Sequence, residues 1–165
     1  KNKNKKEKGK TAPAIPKAVQ SYLSDTSSFS PEWSGNILRM LPESTRDASP
    51  LLREYLRILS AGICIGETKG KDFIPAEELA LSTALCPDAF PTADLDWDDA
   101  IRYLKKEALL LPAGTEKGYV LVRYKKFPLG FTKHLGNRAN NLYPQEWRIR
   151  TGYVPEQVKT MLSLL

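Results

Sequence analysis

Residues 118–124 read GYVLVRY and residues 129–135 read LGFTKHL, with KKFP between them. Both runs are rich in apolar, β-branched and aromatic residues, which are typical of β-strands, and successive side chains of a strand alternate between its two faces. We therefore predict a β-hairpin that turns at residues 125–128. The alternation divides the first strand into two faces, with Tyr119, Leu121 and Arg123 on one and Val120, Val122 and Tyr124 on the other.

A helix is expected directly before this hairpin, from Asp94 to Leu109. Aspartates crowd its start and Lys105 and Lys106 its end, which suits the helix dipole. Apolar residues recur at helical spacing, namely Ala100, Ile101, Leu104 and Ala108. The acidic start is therefore explained by capping, without a metal site. After the hairpin, a Gly- and Asn-rich loop covers 136–141, and Pro155 begins a predicted terminal helix.

A second set of elements is expected upstream. We predict a short helix at 17–23, a turn at 30–33, a strand at 36–41, a hairpin of strands 62–66 and 72–74, and a helix from 75 to about 85. Residues 50–60 fit either a helical stripe or strand alternation, so the pattern leaves both open.

These elements predict an α+β fold in three parts. Residues 1–16 form a flexible basic linker, because residues 1–10 contain no apolar side chain. Residues 17–86 form a small α+β subdomain, and residues 91–165 form a second unit. A length of 165 residues allows two very small domains packed together.

The net charge of +6 is unevenly distributed. Residues 1–10 carry six Lys and one Glu, and residues 71–99 carry one Lys against eight acids. Residues 117–150 carry eight Lys or Arg against Glu146 alone. The chain is polarised, with a basic start, an acidic middle and a basic C-terminal third.

Most catalytic classes are excluded by what the sequence lacks. It has no glycine-rich loop between a strand and a helix, and its one histidine, His134, has no nucleophile motif beside it. Cys64 and Cys86 have no partner at metal-ligand spacing, so we expect buried reduced thiols, no metal site and an intracellular protein. No apolar run is long enough for a membrane helix.

The basic third has the composition of a nucleic-acid surface. Cations can contact phosphates, aromatic rings can stack on bases, and amides can read base edges. Phe131 and Tyr124 are further stacking candidates. The alternative is a solvated hairpin whose aromatic residues belong to the core and whose cations offset the acidic middle. The candidate RNA-binding residues are Arg123, Lys125, Lys126, Lys133, His134, Arg138, Asn140, Asn141, Tyr143, Trp147 and Arg148.

These residues also carry a family resemblance. Lys117–Val122, Pro128–His134, the Asn-rich 137–141 and Tyr143-Pro144 resemble the C-terminal PUA-like module of the NOL/NOP/Sun RNA cytosine-5 methyltransferases, especially the bacterial branch that acts on small-subunit ribosomal RNA. Upstream, residues 58–81 resemble the small domain that precedes this module. Thr132 and His134 stand where the family often has glycine.

The resemblance implies a small α/β subdomain followed by a PUA-like β-barrel with flanking helices. It favours strand for Tyr55–Gly66. It also implies that the chain is no enzyme by itself: a cytoplasmic parent would carry, N-terminal to this region, a domain that binds S-adenosylmethionine and attacks cytosine through a cysteine. Neither Cys64 nor Cys86 stands in the Pro-Cys or Thr-Cys setting of the family's catalytic cysteines.

Three functions follow as hypotheses. The first is the RNA-binding C-terminal part of an S-adenosylmethionine-dependent ribosomal RNA methyltransferase, whose partners are ribosomal RNA and the catalytic domain in the same polypeptide. The second is a free-standing PUA-like module of another RNA-modifying system. The third is a protein-interaction module that uses the acidic and basic faces.

Overall fold

The computed structural model of the chain describes residues 15–152, and within them lie two four-stranded sheets. The first is an antiparallel meander of β1 (Phe29–Ser34), β2 (Ile37–Pro42), β3 (Ile63–Lys69) and β4 (Asp72–Pro75). Gly35 and Gly70, both at φ +63°, form the tight β1–β2 and β3–β4 turns, where a side chain would strain the backbone.

Two short helices accompany the first sheet. Helix α1 (Ser49–Tyr55) lies between β2 and β3, and none of its residues is buried. Helix α2 (Glu77–Ala80) follows β4 directly and buries Leu79 and Ala80 against the sheet. Two 3-10 turns, Lys17–Ser21 and Glu43–Thr45, complete this part of the chain.

The second sheet contains β5 (Thr92–Leu95), β6 (Gly118–Tyr124), β7 (Phe127–His134) and β8 (Ala139–Asn141). Strand β5 pairs in parallel with β6, and the connection between them holds helix α3 (Trp97–Leu104). Asp96 caps α3 by accepting the amide hydrogen of Asp99 at 2.8 Å. The remaining pairs are antiparallel.

The β6–β7 hairpin is covered on both faces. On one face, Val120 and Val122 pack with Ala100 and Tyr103 of α3 in one core cluster. On the other, Leu121 and its cross-strand partner Phe131 join a second core cluster with residues of the first sheet, among them Leu38 and Ile65. The predicted hairpin and its two faces are confirmed, and the hairpin joins the two cores. Its turn is shorter than predicted, since Phe127 and Pro128 pair with β6 and only residues 125 and 126 form the turn.

A buried polar contact accompanies this packing. The Tyr103 hydroxyl lies 3.1 Å from the Phe131 carbonyl oxygen and 3.3 Å from the Glu77 carboxylate. Gly130 permits the approach, because a Cβ there would stand 2.0 Å from a Glu77 oxygen. Helix α2 is therefore tied to both α3 and β7.

Several predicted elements differ in the structure. Residues 30–33 belong to β1 and not to a turn, since Pro31 is tolerated on this edge strand. Helix α3 begins at Trp97 and ends at Leu104, because Asp94 lies on β5 and Lys106 has a left-handed backbone. Helix α2 ends at Ala80 and not near Leu85.

The resemblance-based prediction of strand for 55–66 is wrong over most of its range. Residues 49–55 are helical and β3 begins only at Ile63, so the helical alternative held for the first half of the ambiguous segment. The predicted loop at 136–141 contains β8. Cys64 and Cys86 are half-buried, not buried.

The fold is mixed α and β, as predicted, but the expected β-barrel is not closed. Strands β5 and β8 form the two edges of the second sheet. The strands divide between sheets on either side of residues 86–91, and the proposed domain boundaries there remain a prediction. The basic linker, but for its last two residues, and the predicted helix from Pro155 lie outside the described residues.

Glu77 gives the fold a pH-dependent weakness. Burial raises the pKa of this carboxyl to about 7, although hydrogen bonds from Tyr103 and the Phe131 amide and the charge of Lys106 oppose the shift. The folded chain therefore binds this proton more tightly than the unfolded chain. Its contribution to stability is fully present below about pH 4.5 and is lost as the pH rises to about 7.

We predict that Glu77→Gln will stabilise the protein at pH 8 but hardly at pH 5. The neutral amide keeps the shape and removes the buried charge, with an effect of up to about 3 kcal/mol. Urea unfolding at both pH values measures it, and Glu54→Gln at an exposed position controls for net charge. The prediction would be contradicted if the wild type became more stable relative to the Glu77→Gln variant between pH 5 and pH 8.

Candidate nucleic-acid interface

The tip of the β6–β7 hairpin presents two lysines in a strained turn. Lys125 and Lys126 have φ of +48° and +70°, so both occupy the left-handed region that a two-residue hairpin turn of this kind requires. Glycine or asparagine is usual there, and both side chains point to solvent. Residues held in such conformations often serve a function.

Aromatic side chains surround these lysines. The Lys125 ammonium lies 5.5 Å from the centre of the Tyr124 ring, and Tyr124 contacts Trp97 edge to face at 5.8 Å. Phe127, the first residue of β7, is 61% exposed. Cations beside accessible rings can hold a phosphate and stack on a base.

Two other candidate cations are paired with the acidic middle of the chain. Arg123 donates to both carboxylate oxygens of Asp94, at 3.1 and 2.7 Å. Lys133 lies 2.6 Å from Asp72 of the first sheet, and this hydrogen bond is the main cause that raises the pKa of Lys133. The alternative in which basic residues offset acidic ones therefore describes these two.

His134 and Asn141 serve the folded frame. His134 is buried, and its Nδ1 donates to the Glu116 carbonyl at 3.0 Å. The Asn141 amide donates to the carbonyls of Tyr103 and Glu107, at 2.8 and 3.0 Å, and accepts from the Tyr143 amide at 2.9 Å. These contacts leave little of either side chain available to RNA.

The segment after β8 places a second aromatic group beside α3. Tyr143 packs edge to face against buried Tyr103 at 5.3 Å and against Trp147 at 6.3 Å. Trp147 is 47% exposed. Arg148 is exposed, and with the Gln145 amide oxygen turned toward it, donates to that oxygen from Nη1 at 3.1 Å. This segment offers an accessible ring and cation together.

Arg138 directly precedes β8 and Asn140 lies within it, and both are exposed. Arg138 belongs to the loop between β7 and β8, at the end of the sheet opposite the hairpin tip. The prediction that Phe131 stacks on a base is wrong. Phe131 is fully buried, and the centre of its ring lies 4.7 Å from that of Phe90.

Four of the predicted cations are exposed and have no ion pair within residues 15–152. We call them the open cations: Lys125, Lys126, Arg138 and Arg148. The sequence interpretation missed Phe127 and Trp97, although an aromatic residue beside a lysine turn was a usable signal. Trp97 was taken as the interior of a longer helix.

The described residues contain no cluster of three or more His, Cys, Asp or Glu side chains arranged to hold a metal ion. Over residues 15–152, no helix combines the length and apolar character needed to cross a membrane.

Comparison with known proteins assigns the second sheet. Residues 90–149, which contain β5 to β8 and α3, match the family described as the PUA domain of the methyltransferase RsmF. This segment is similar to the PUA domain of that methyltransferase. The resemblance found in the hairpin and its flanks is thereby confirmed, and the open cations all lie within the matched residues.

The similarity to named relatives covers more residues than the family match at 90–149. Ribosomal RNA small subunit methyltransferase F from Shewanella baltica strains OS195 and OS155 is 32% identical to the chain over 111 residues. The same protein from strain OS185 is equally similar. Each match covers 64% of the chain and 23% of the relative, so the chain spans about a quarter of these proteins.

We predict that Asn141→Ala will destabilise the protein by about 2 kcal/mol, because three main-chain groups lose their partner. Urea unfolding measures the change. Asn140→Ala is the matched control: the residue is adjacent and exposed, so its loss should change stability by no more than about 0.5 kcal/mol. Equal effects of the two variants would contradict the framework role of Asn141.

Proposed function

We propose that the chain is the RNA-binding C-terminal part of an S-adenosylmethionine-dependent ribosomal RNA cytosine-5 methyltransferase. The observation that carries this proposal is the match of residues 90–149 to a methyltransferase PUA domain whose open cations face solvent. The name of the relatives, ribosomal RNA small subunit methyltransferase F, supports ribosomal RNA as the partner.

In this proposal the chain positions RNA and a further domain performs the chemistry. The relatives are about four times as long as the matched segment, which leaves room for a catalytic domain in the same polypeptide. That domain would bind S-adenosylmethionine and attack the cytosine ring with a cysteine thiolate. Cys64 and Cys86 would take no part.

The open cations are the proposed phosphate contacts, with Trp147 and Tyr143 as stacking residues. They lie in the turn, the loop and the segment that border the folded second sheet, so RNA binding costs less ordering entropy than binding by an unfolded segment. Arg123 and Lys133 remain proposed contacts of lesser weight, since a phosphate must compete with Asp94 or Asp72 for them. Asn140 can read a base edge, and the contacts of His134 and Asn141 support an indirect role.

We predict that replacing the four open cations by Gln will flatten the salt dependence of RNA binding. The slope of log K against log salt should fall by about 1 for each cation that contacts phosphate. Filter binding to small-subunit ribosomal RNA fragments at several salt concentrations measures the slope. Lys69→Gln with Lys71→Gln removes exposed charge from the first sheet as a control.

Deletion of Lys1 to Lys10 completes this test, since these residues carry six lysines but no aromatic ring. The deletion should weaken binding modestly and leave any preference for ribosomal RNA intact. If instead the deletion abolishes binding while the folded Gln variant binds like the wild type, the proposed interface is wrong.

We also predict that the chain alone neither binds S-adenosylmethionine nor transfers a methyl group, since no cofactor loop or suitably placed cysteine occurs in its sequence. Calorimetric titration with S-adenosylmethionine measures the first point. Micromolar affinity would contradict the division of roles proposed above.

One observation favours the protein-interaction alternative. Leu51, Tyr55 and Leu59 are exposed on α1 and the loop after it, and such apolar exposure is typical of contact surfaces. Within the main proposal, this surface is a candidate contact for the catalytic domain. Weak RNA binding that does not respond to salt would favour the alternative instead.

A further inference from the structure

A pocket of about 360 Å³ opens between the two sheets, away from the hairpin tip. Ile37 and Ile74 line it from the first sheet, and Leu142 and Pro144 line it from the segment after β8. These apolar side chains stand on two sides of a space that is large enough for a planar ring. The pocket therefore suits a flat ligand with an apolar face.

The polar side of the pocket contains a buried carboxyl group and a lysine ammonium group. Glu77 lines the pocket and is only 7% exposed. Its contacts with Tyr103 and the Phe131 amide leave lone pairs free, because a carboxylate can accept about four hydrogen bonds. A buried carboxyl that costs stability at neutral pH is a candidate for binding.

Lys106 supplies the ammonium group, and its backbone conformation is unusual for lysine. It follows the last turn of α3, with its amide bonded to the Tyr103 carbonyl at 2.9 Å and the Glu107 amide bonded to the Arg102 carbonyl at 2.9 Å. This is a helix end at which glycine is preferred, yet Lys106 occupies it at φ +62°. Its ammonium donates to the Tyr143 carbonyl and has further hydrogens free.

We propose that this pocket binds one unpaired guanine base of the RNA. The apolar walls would enclose the ring, Glu77 would accept from the ring N–H and the adjacent amino group, and Lys106 would donate to the carbonyl oxygen. Of the four bases, guanine alone presents two neighbouring donors beside an acceptor on one edge. This inference rests on the proposed RNA-binding function and adds a base preference to it.

Cysteine protection tests the proposal on the full chain. Cys64 lines the pocket, whereas Cys86 does not and is also half-buried, so it is an internal control. Alkylation by iodoacetamide would be followed by mass spectrometry, with oligouridylate that carries one central guanosine, one central inosine or uridine only. Inosine lacks the amino group that Glu77 would accept from.

We expect the guanosine oligonucleotide to slow alkylation of Cys64 but not Cys86, and to bind about tenfold more tightly than oligouridylate. The inosine oligonucleotide should lie between them. Equal protection of Cys64 by all three, or no protection at saturation, overturns the guanine site. In the second case, salt-dependent ribosomal RNA binding through the open cations would still leave the proposed function standing.

A pair of variants separates the site from the fold. Lys106→Gly removes the ammonium and its hydrogen bond to the Tyr143 carbonyl but relieves the left-handed backbone, so the protein should still fold and should lose the tenfold preference for guanosine. Lys105→Gln removes the same charge one residue earlier, outside the pocket, and should keep that preference. If both variants retain it or both lose it, Lys106 does not read the base.

Discussion

The β6–β7 hairpin is buried on both faces, and the rest of the structure depends on this constraint. One face needs α3 and the other needs the first sheet, so neither layer can be removed without exposing apolar side chains such as Val122 or Phe131. The burial of Glu77 follows from the same packing, since α2, which carries Glu77, must lie close to β7 in order to cover that strand. A carboxyl that destabilises the protein at neutral pH is thus built into its centre.

The hairpin could be predicted from sequence because its signal is local. Alternation alone assigned Val120 and Leu121 to opposite faces, and the structure places a separate core on each. Strand β5 was missed since it is short and pairs with β6, which is distant in sequence. Strands β1 and β8 have local partners, but Pro31 in β1 and the Ala-Asn-Asn sequence of β8 are typical of turns and loops. Asp94 illustrates the difficulty: it looks like a helix-capping residue, but β6 holds it in a parallel strand pair.

The candidate interface was predicted from composition, and the ion pairs seen in the structure reduced the set of candidate cations. Composition singled out the four open cations, but it could not show that Asp94 pairs with Arg123 or that Asp72 pairs with Lys133. Phe131 and Phe127 carry the same ring, four residues apart on one strand, and only burial distinguishes core from surface. The acidic middle of the chain therefore sets which of the candidate cations are left without an ion pair among the described residues.

The turn at Lys125 and Lys126 has a consequence for anyone who alters this protein. Asparagine followed by glycine fits such a turn without strain, whereas lysine at both positions costs on the order of 1 kcal/mol each. Selection for thermal stability alone would favour replacement of Lys125 by asparagine and Lys126 by glycine. The better-folded product would have lost two of the charges exposed at the tip, so stability and the proposed RNA contact are opposed at this single turn.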